Sequence, residues 1–142
     1  MNESLKLSNQ LCFPIYSLSK EIINMYRPLL MDLDITYPQY LVLMVLWEHK
    51  RLNVSEIGAL LKLDSGTLTP LLKRLENKDI VVRKRSVDDE RVVQIALTEK
   101  GIALQEKASC IPSQLMEKID LSKQEQEFLI QTIHKIFNSI NI

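Results

Sequence analysis

The sequence predicts a mainly α fold with a small β wing: a winged helix-turn-helix domain plus a helical dimerisation region. Three observations carry this. Residues 63–76 read as a helix whose Leu68, Leu71, Leu72 and Leu75 fall on one face and whose start is polar, with Asp64 at the N-cap position. Directly behind it, the β-branched runs 80–85 and 92–97 flank a charged tip, Ser86-Val87-Asp88-Asp89-Glu90-Arg91, which is the pattern of a β-hairpin. The first helix and the last two carry more apolar surface than a winged helix of this size needs, and a two-fold helical interface uses such a surplus. The alternative is that these helices pack back on their own domain.

In chain order, residues 5–30 read as one long, mainly apolar helix. Pro14 lacks an N–H, so the helix proper either begins near Cys12 or is kinked there; Pro28 marks a bend or a new start. Residues 34–38 are a connection, and Pro38 suits the first turn of a second helix running to about Glu48. Asn53-Val54-Ser55-Glu56 has capping-box spacing and opens a short helix to about Leu61. After the hairpin, Thr98-Glu99-Lys100-Gly101 opens a fifth helix expected to weaken near Ile111-Pro112. Ser122-Lys123-Gln124-Glu125 is a second capping box and opens a final helix carrying Phe128, Leu129, Ile133, Ile136, Phe137 and Ile140. The expected organisation is one domain over 1–142, with a winged-helix DNA-binding lobe at 36–98 and a helical dimerisation lobe from 1–33 and 99–142.

The fourth helix has the layout of one that enters the DNA major groove. Ser65, Gly66, Thr67 and Thr69 leave its beginning small and hydroxylated, so it can approach base edges, and Lys73 and Arg74 follow to meet phosphates. Asp64 opens this surface. Arg83, Arg85 and Arg91 put basic groups on the hairpin, where a DNA-binding wing would hold them; a solvated, charge-protected edge is the competing reading. Lysine plus arginine equal aspartate plus glutamate at 18 each, which excludes a globally basic DNA binder. The charge is local instead: residues 71–91 contain seven basic and five acidic residues, and further acidic residues lie towards the C-terminus.

No apolar run approaches the roughly 18 residues of a membrane span. No signal peptide is evident, and a cytoplasmic protein without membrane contact is expected. Two cysteines far apart in sequence make neither a disulfide framework nor a zinc site. His49 and His134 lack metal-ligand spacing, so no metal and no cofactor are expected.

The element order and several motifs together resemble the MarR family of regulators, making the expected fold MarR-like. Within that family the chain is most similar to the organic hydroperoxide resistance repressors. The carrying segments are Asn9-Gln10-Leu11-Cys12-Phe13, residues 35–41 (Ile-Thr-Tyr-Pro-Gln-Tyr-Leu), Leu46-Trp47-Glu48-His49, residues 64–70 and Asp88-Asp89-Glu90-Arg91. The wing motif is taken as Asp88-x-x-Arg91, its arginine reaching into the minor groove. The resemblance spans about residues 10–101. It implies a homodimer on double-stranded DNA with a pseudo-palindromic operator, and an organic hydroperoxide or another oxidant as signal. It also implies that Cys12 is the redox-sensing thiol, hydrogen-bonded as thiolate by Tyr16, Tyr26 and Tyr37, the last two contributed across the dimer. Pro14 departs from the family pattern. Cys110 resembles the second thiol of a two-cysteine branch, which resolves the oxidised first cysteine; low-molecular-weight thiols are the alternative.

A thiolate is the nucleophile towards a peroxide, and an ordinary thiol with a pKa of about 8.5 is mostly protonated at neutral pH. Tyrosine donors and a helix start at Cys12 are two devices that favour the anion. Without the resemblance, Cys12 would read as a small buried hydrophobe. Leu11, Phe13 and Ile15 would favour organic peroxides over hydrogen peroxide. The expected function is a redox-sensing repressor, not an enzyme. The alternatives are a MarR-type regulator controlled by a small aromatic ligand, a thiol-dependent peroxidase, and a winged-helix protein-interaction module.

Overall fold

The structure, a computed structural model, describes residues 2–140. The chain divides into two compact units, one running through Ser109 and the other starting at Cys110.

The first unit opens with two short 3₁₀ turns, Glu3–Leu5 and Leu7–Asn9, before helix α1, Cys12–Met31. The expected helix from residue 5 therefore starts seven residues later. Pro14 is the third residue of α1, where its missing N–H has no intrahelical partner to lose. Pro28 neither ends nor restarts the helix. It does withhold a hydrogen bond from the Asn24 carbonyl, and both residues are exposed, so water can serve that carbonyl.

Thr36 caps α2 (Tyr37–His49) in a full capping box with Gln39. Strand β1 (Arg51–Asn53) follows, a three-residue element that the sequence reading lacked. Asn53 and Glu56 form the expected capping box of α3 (Val54–Leu61). Lys62 then adopts a left-handed conformation (φ 55°), and the Leu63 N–H returns to the Gly58 carbonyl at 3.0 Å. This turn leads to Asp64, the cap of α4 (Ser65–Asn77). Gly58 is obligatory here: a Cβ on it would lie 2.7 Å from the Leu63 carbonyl oxygen. The core of this unit lies between α2, α3, α4 and the sheet, where Leu43, Leu46, Ile57, Leu68, Leu72 and Ile95 have no exposed surface.

Strands β2 (Val81–Arg85) and β3 (Val93–Leu97) form the expected hairpin, and β1 adds to it in the antiparallel order β1-β3-β2. Ile95 is the register partner of both Leu52 and Arg83. Helix α5 (Glu99–Ala108) begins where the hairpin ends. Thr98 caps it through the Gly101 N–H and donates its hydroxyl to the Asp79 and Ile80 carbonyls. The Gly101 carbonyl accepts from the Trp47 indole N–H at 2.9 Å. This joint has no room for a side chain, since a Cβ on Gly101 would sit 2.2 Å from the Ile80 carbonyl oxygen.

The second unit holds α6 (Ile111–Met116) and α7 (Lys123–Ile140). The break expected near Ile111-Pro112 falls at Ser109-Cys110, and Pro112 opens α6 rather than ending a helix, its place in the first turn again removing no bond. Three helices, not two, therefore follow the wing. The Ser122–Glu125 capping box of α7 is present, and its hydrogen bonds to Ser122 hold the Glu125 carboxyl below the usual carboxylate range.

Gly101→Ala should destabilise the fold by about 1–3 kcal/mol, the usual cost of forcing atoms into a filled site. Urea unfolding measures this. An unchanged midpoint would show that the root of the wing yields freely to a methyl group.

Candidate nucleic-acid interface and thiol site

Helix α4 separates its faces as its sequence requires. Leu68, Leu71, Leu72 and Leu75 are buried, while Ser65, Gly66, Thr67, Lys73 and Arg74 are exposed and Thr69 is half-buried. The Asp64 carboxylate accepts from the Thr67 N–H at 2.7 Å, so one of its oxygens is engaged in capping the helix. Pro70 removes the bond that the Gly66 carbonyl would accept, on the exposed side where solvent replaces it.

In the wing, Ser86 N–H donates to the Val92 carbonyl at 2.7 Å and closes the tip. Arg91 is paired with Asp89, its Nε and backbone N–H lying 3.1 and 3.0 Å from one carboxylate oxygen. The turn from Asp89 to Val92 folds Arg91 back over Asp89, and the neighbouring Asp88 N–H donates to Ser86 Oγ. Hydrogen bonds from the Arg91 side chain and then its backbone hold the Asp89 carboxyl below its ordinary range. Arg85 donates to the Glu90 carbonyl at 2.8 Å. Arg83 is half-buried on the inner side of β2 and shares a cleft of about 300 Å³ with Ser55, Ser65, Thr69 and Arg91. The cleft thus brings together residues of α3, α4 and the wing.

Cys12 is the first residue of α1, where backbone N–H groups lack helical acceptors. It is exposed, not the buried hydrophobe of the competing reading, and Leu11, Phe13 and Ile15 around it are exposed too. Cys110 is an exposed thiol in the second unit, at the cap of α6, with its carbonyl accepting from Ser113 Oγ.

Of the three tyrosines, the structure brings two together. The Tyr26 and Tyr37 rings stack with centroids 4.4 Å apart. Tyr16 is on the exposed side of α1 with the Lys20 ammonium 4.8 Å from its ring centre. Among the described residues no hydrogen bond joins Cys12 to a tyrosine of the same chain. The sequence reading missed the continuation of the stack. Tyr40 lies 5.7 Å from Tyr26 and meets Trp47 edge-on at 6.3 Å. The i, i+3 and i+10 spacing of Tyr37, Tyr40 and Trp47 along one helix face was the available signal. Burial, then Tyr37, then Tyr40 push the Tyr26 hydroxyl up to about 12; burial also raises Tyr37 and Tyr40. His49 is exposed beside Glu48, and among the described residues no group of side chains could hold a metal ion.

Residues 24–108 match the family described as transcriptional regulator SarA/Rot. The organic hydroperoxide resistance transcriptional regulator of Bacillus subtilis is 54% identical over 91% of the chain and 86% of that protein. The chain belongs to the MarR family of transcriptional regulators, in its organic hydroperoxide resistance branch. Solved members of the same fold agree. Reduced AbfR bound to DNA matches with a TM-score of 0.81 and 36% identity, over 97% of this chain and 96% of that one. AbfR with its disulfide formed matches at 0.68 and 40%, over 95% of both. A MarR variant of E. coli in complex with operator DNA matches at 0.81 and 26%, over 89% and 92%. For this MarR-type chain, no helix among the described residues is long and apolar enough to cross a membrane.

Because folding raises the Tyr26 pKa above the value of 10.0 it has unperturbed, the folded state holds that proton more tightly. The resulting stability is complete below pH 10 and is lost as pH rises towards 12. In an ultraviolet titration of the four tyrosines, the last ionisation should disappear in Tyr26→Phe. A last ionisation that survives this substitution would place the raised pKa elsewhere.

Proposed function

We propose that the chain is a redox-sensing DNA-binding transcriptional regulator, a repressor whose hold on its operator is lost or altered when Cys12 is oxidised by an organic hydroperoxide. The observation that carries this is the presence, in one chain, of a complete winged helix-turn-helix and an exposed thiol at the first residue of α1. The relative named for organic hydroperoxide resistance, and the AbfR structures titled as reduced on DNA and as disulfide, support the same reading.

The active species is a homodimer. Leu11, Ile15 and Leu18 of α1 are exposed apolar side chains, as are Leu129, Ile133 and Ile136 of α7, and a second copy of the chain is the partner such surfaces fit. Each copy presents one α4 and one wing, so the operator is a pseudo-palindrome with one half-site per winged lobe. Thr67 and Thr69 meet bases, Lys73 and Arg74 hold phosphates, and Arg91 enters the minor groove.

The chemistry is a stoichiometric oxidation and the chain is not an enzyme. The Cys12 thiolate attacks the peroxide; an S–O bond forms, the O–O bond breaks, and an alcohol leaves with the proton. The sulfenic acid condenses with the Cys110 thiol, forming S–S and releasing water. The signal needs no cofactor.

DNA affinity at fixed salt tests the proposal. Peroxide should weaken binding of the wild type by about 5–150-fold, the usual span of coupling free energies, and leave Cys12→Ser unaffected. Equal affinity of oxidised and reduced protein would sink the switch. Non-reducing electrophoresis should show a peroxide-dependent covalent dimer that both Cys12→Ser and Cys110→Ser abolish; persistence of the band in Cys110→Ser removes the resolving role. Steady peroxide turnover with a thiol reductant would make the chain a peroxidase instead. Arg91→Ala should weaken binding most on sites with a narrow A·T-rich minor groove, whereas equal loss on every sequence would reduce Arg91 to a phosphate contact.

A further inference from the structure

Arg83 occupies an unusual place for a wing arginine. It is the third residue of β2, in register with the fully buried Ile95, and strand alternation puts it with buried Val81 on the inner face. Its Nε–H is buried, and among the described residues it has no hydrogen-bond partner. Among the described residues no carboxylate pairs with it, since Asp89 is taken by Arg91, Asp64 caps α4 and Glu56 caps α3. A buried charged donor left unpaired is expensive, so such a group calls for an acceptor from outside the fold, such as water or a ligand oxygen.

The surroundings specify that partner. The cleft of about 300 Å³ beside Arg83 is lined also by Asn53, Ser55, Ser65, Thr69 and Arg91, and the Asn53 amide oxygen already accepts from the Glu56 N–H. The Arg83 guanidinium supplies only donors, and the three hydroxyls can all donate. A group that only accepts, through several oxygens, satisfies this set, as an oxyanion does.

We infer that this cleft is a socket for one DNA backbone phosphate per half-site, clamped between α4 and the wing with Arg83 as its floor. The inference rests on the DNA-binding reading above. Its geometric reason is that α4 lies in the major groove and the wing in the adjacent minor groove. The two grooves are separated by a single strand's backbone, which has to cross the space between α4 and the wing. That space is this cleft. The socket sets how deeply α4 enters, and so places Thr67 at the bases.

The test is binding of wild type, Arg83→Gln and Arg83→Lys to duplexes in which single phosphates are replaced by neutral methylphosphonates. Of the linkages whose replacement weakens the wild type, one per half-site should have no effect on Arg83→Gln. Arg83→Gln should lose the same factor on operator and on unrelated duplex, and its salt slope should flatten by about 2 per dimer, while Arg83→Lys keeps the slope. A methylphosphonate pattern identical in wild type and Arg83→Gln overturns the socket, as does a loss confined to the operator. If Arg83→Gln does not fold, judged by its thermal melt, Arg83→Lys decides: an unchanged salt slope with the same linkages sensitive supports the socket, and a flattened slope with every linkage as sensitive as in the wild type overturns it. The resonance of Arg83 Nε–H in inorganic phosphate against chloride separates the two readings. A shift in protein that binds no duplex supports an anion socket while the DNA reading fails, and absence of any shift with no sensitive linkage overturns the socket itself.

Discussion

The contact between Gly101 and the Ile80 carbonyl is the constraint on which the first unit depends. The approach is so close that a Cβ would lie 2.2 Å from the oxygen, and it occurs where three elements meet. β2 starts at Val81, β3 ends at Leu97, and α5 starts at Glu99. Thr98 stitches the meeting point with three side-chain hydrogen bonds and one from its backbone N–H to the Ile80 carbonyl, and the Trp47 indole ties α2 to it from the other side. Each bond is worth about 1 kcal/mol net, but together they leave the root of the wing no independent hinge. The turn after α4 reinforces this: Asp79 is left-handed at φ 60°, and the Ile80 N–H returns to Leu75 at 3.0 Å. Wing and α4 thus form one preorganised surface, which reduces the ordering that binding a partner there would demand.

Charge is arranged on the same economy. The molecule is neutral overall, yet three acidic groups around α3, α4 and the wing are already occupied. Asp64 and Glu56 cap helices, and Asp89 holds Arg91 in place with its carboxyl kept ionised by that contact. The basic groups of α4, Lys73 and Arg74, remain exposed. Local assignment of the acidic side chains, rather than net charge, creates a surface for a polyanion.

The thiol end is built differently. Helices α2, α3, α4 and α5 each begin with a side-chain cap, whereas α1 begins at Cys12 with none. Its first N–H groups are left to whatever approaches them. One end of the unit is closely tied, and the other presents an uncapped helix start with a thiol. Between them, the rings of Tyr26, Tyr37, Tyr40 and Trp47 form a packed aromatic run that ends at the indole bond to Gly101.

Much of this architecture was legible in the residues alone, because its signals are local. Asn53 and Glu56, Ser122 and Glu125, Asp64 and the leucines of α4 announce helix starts and buried faces within a few positions. The same holds for Pro14, which set the beginning of α1, and for the β-branched runs of the wing. What the sequence did not determine were the features set by partners distant along the chain. Strand β1 is three residues long and exists because Leu52 meets Ile95, 43 positions away, a pairing without local periodicity. The pairing of Arg91 with Asp89 depends on how one turn folds back. Tyr40 and Trp47 join the tyrosine stack through the packing of α2 against α1. Arg83, in sequence one basic residue among several, becomes a buried donor in a cleft only when the wing closes on α3 and α4. Local backbone preference wrote the elements; the surfaces they bury against one another decided which side chains became a site.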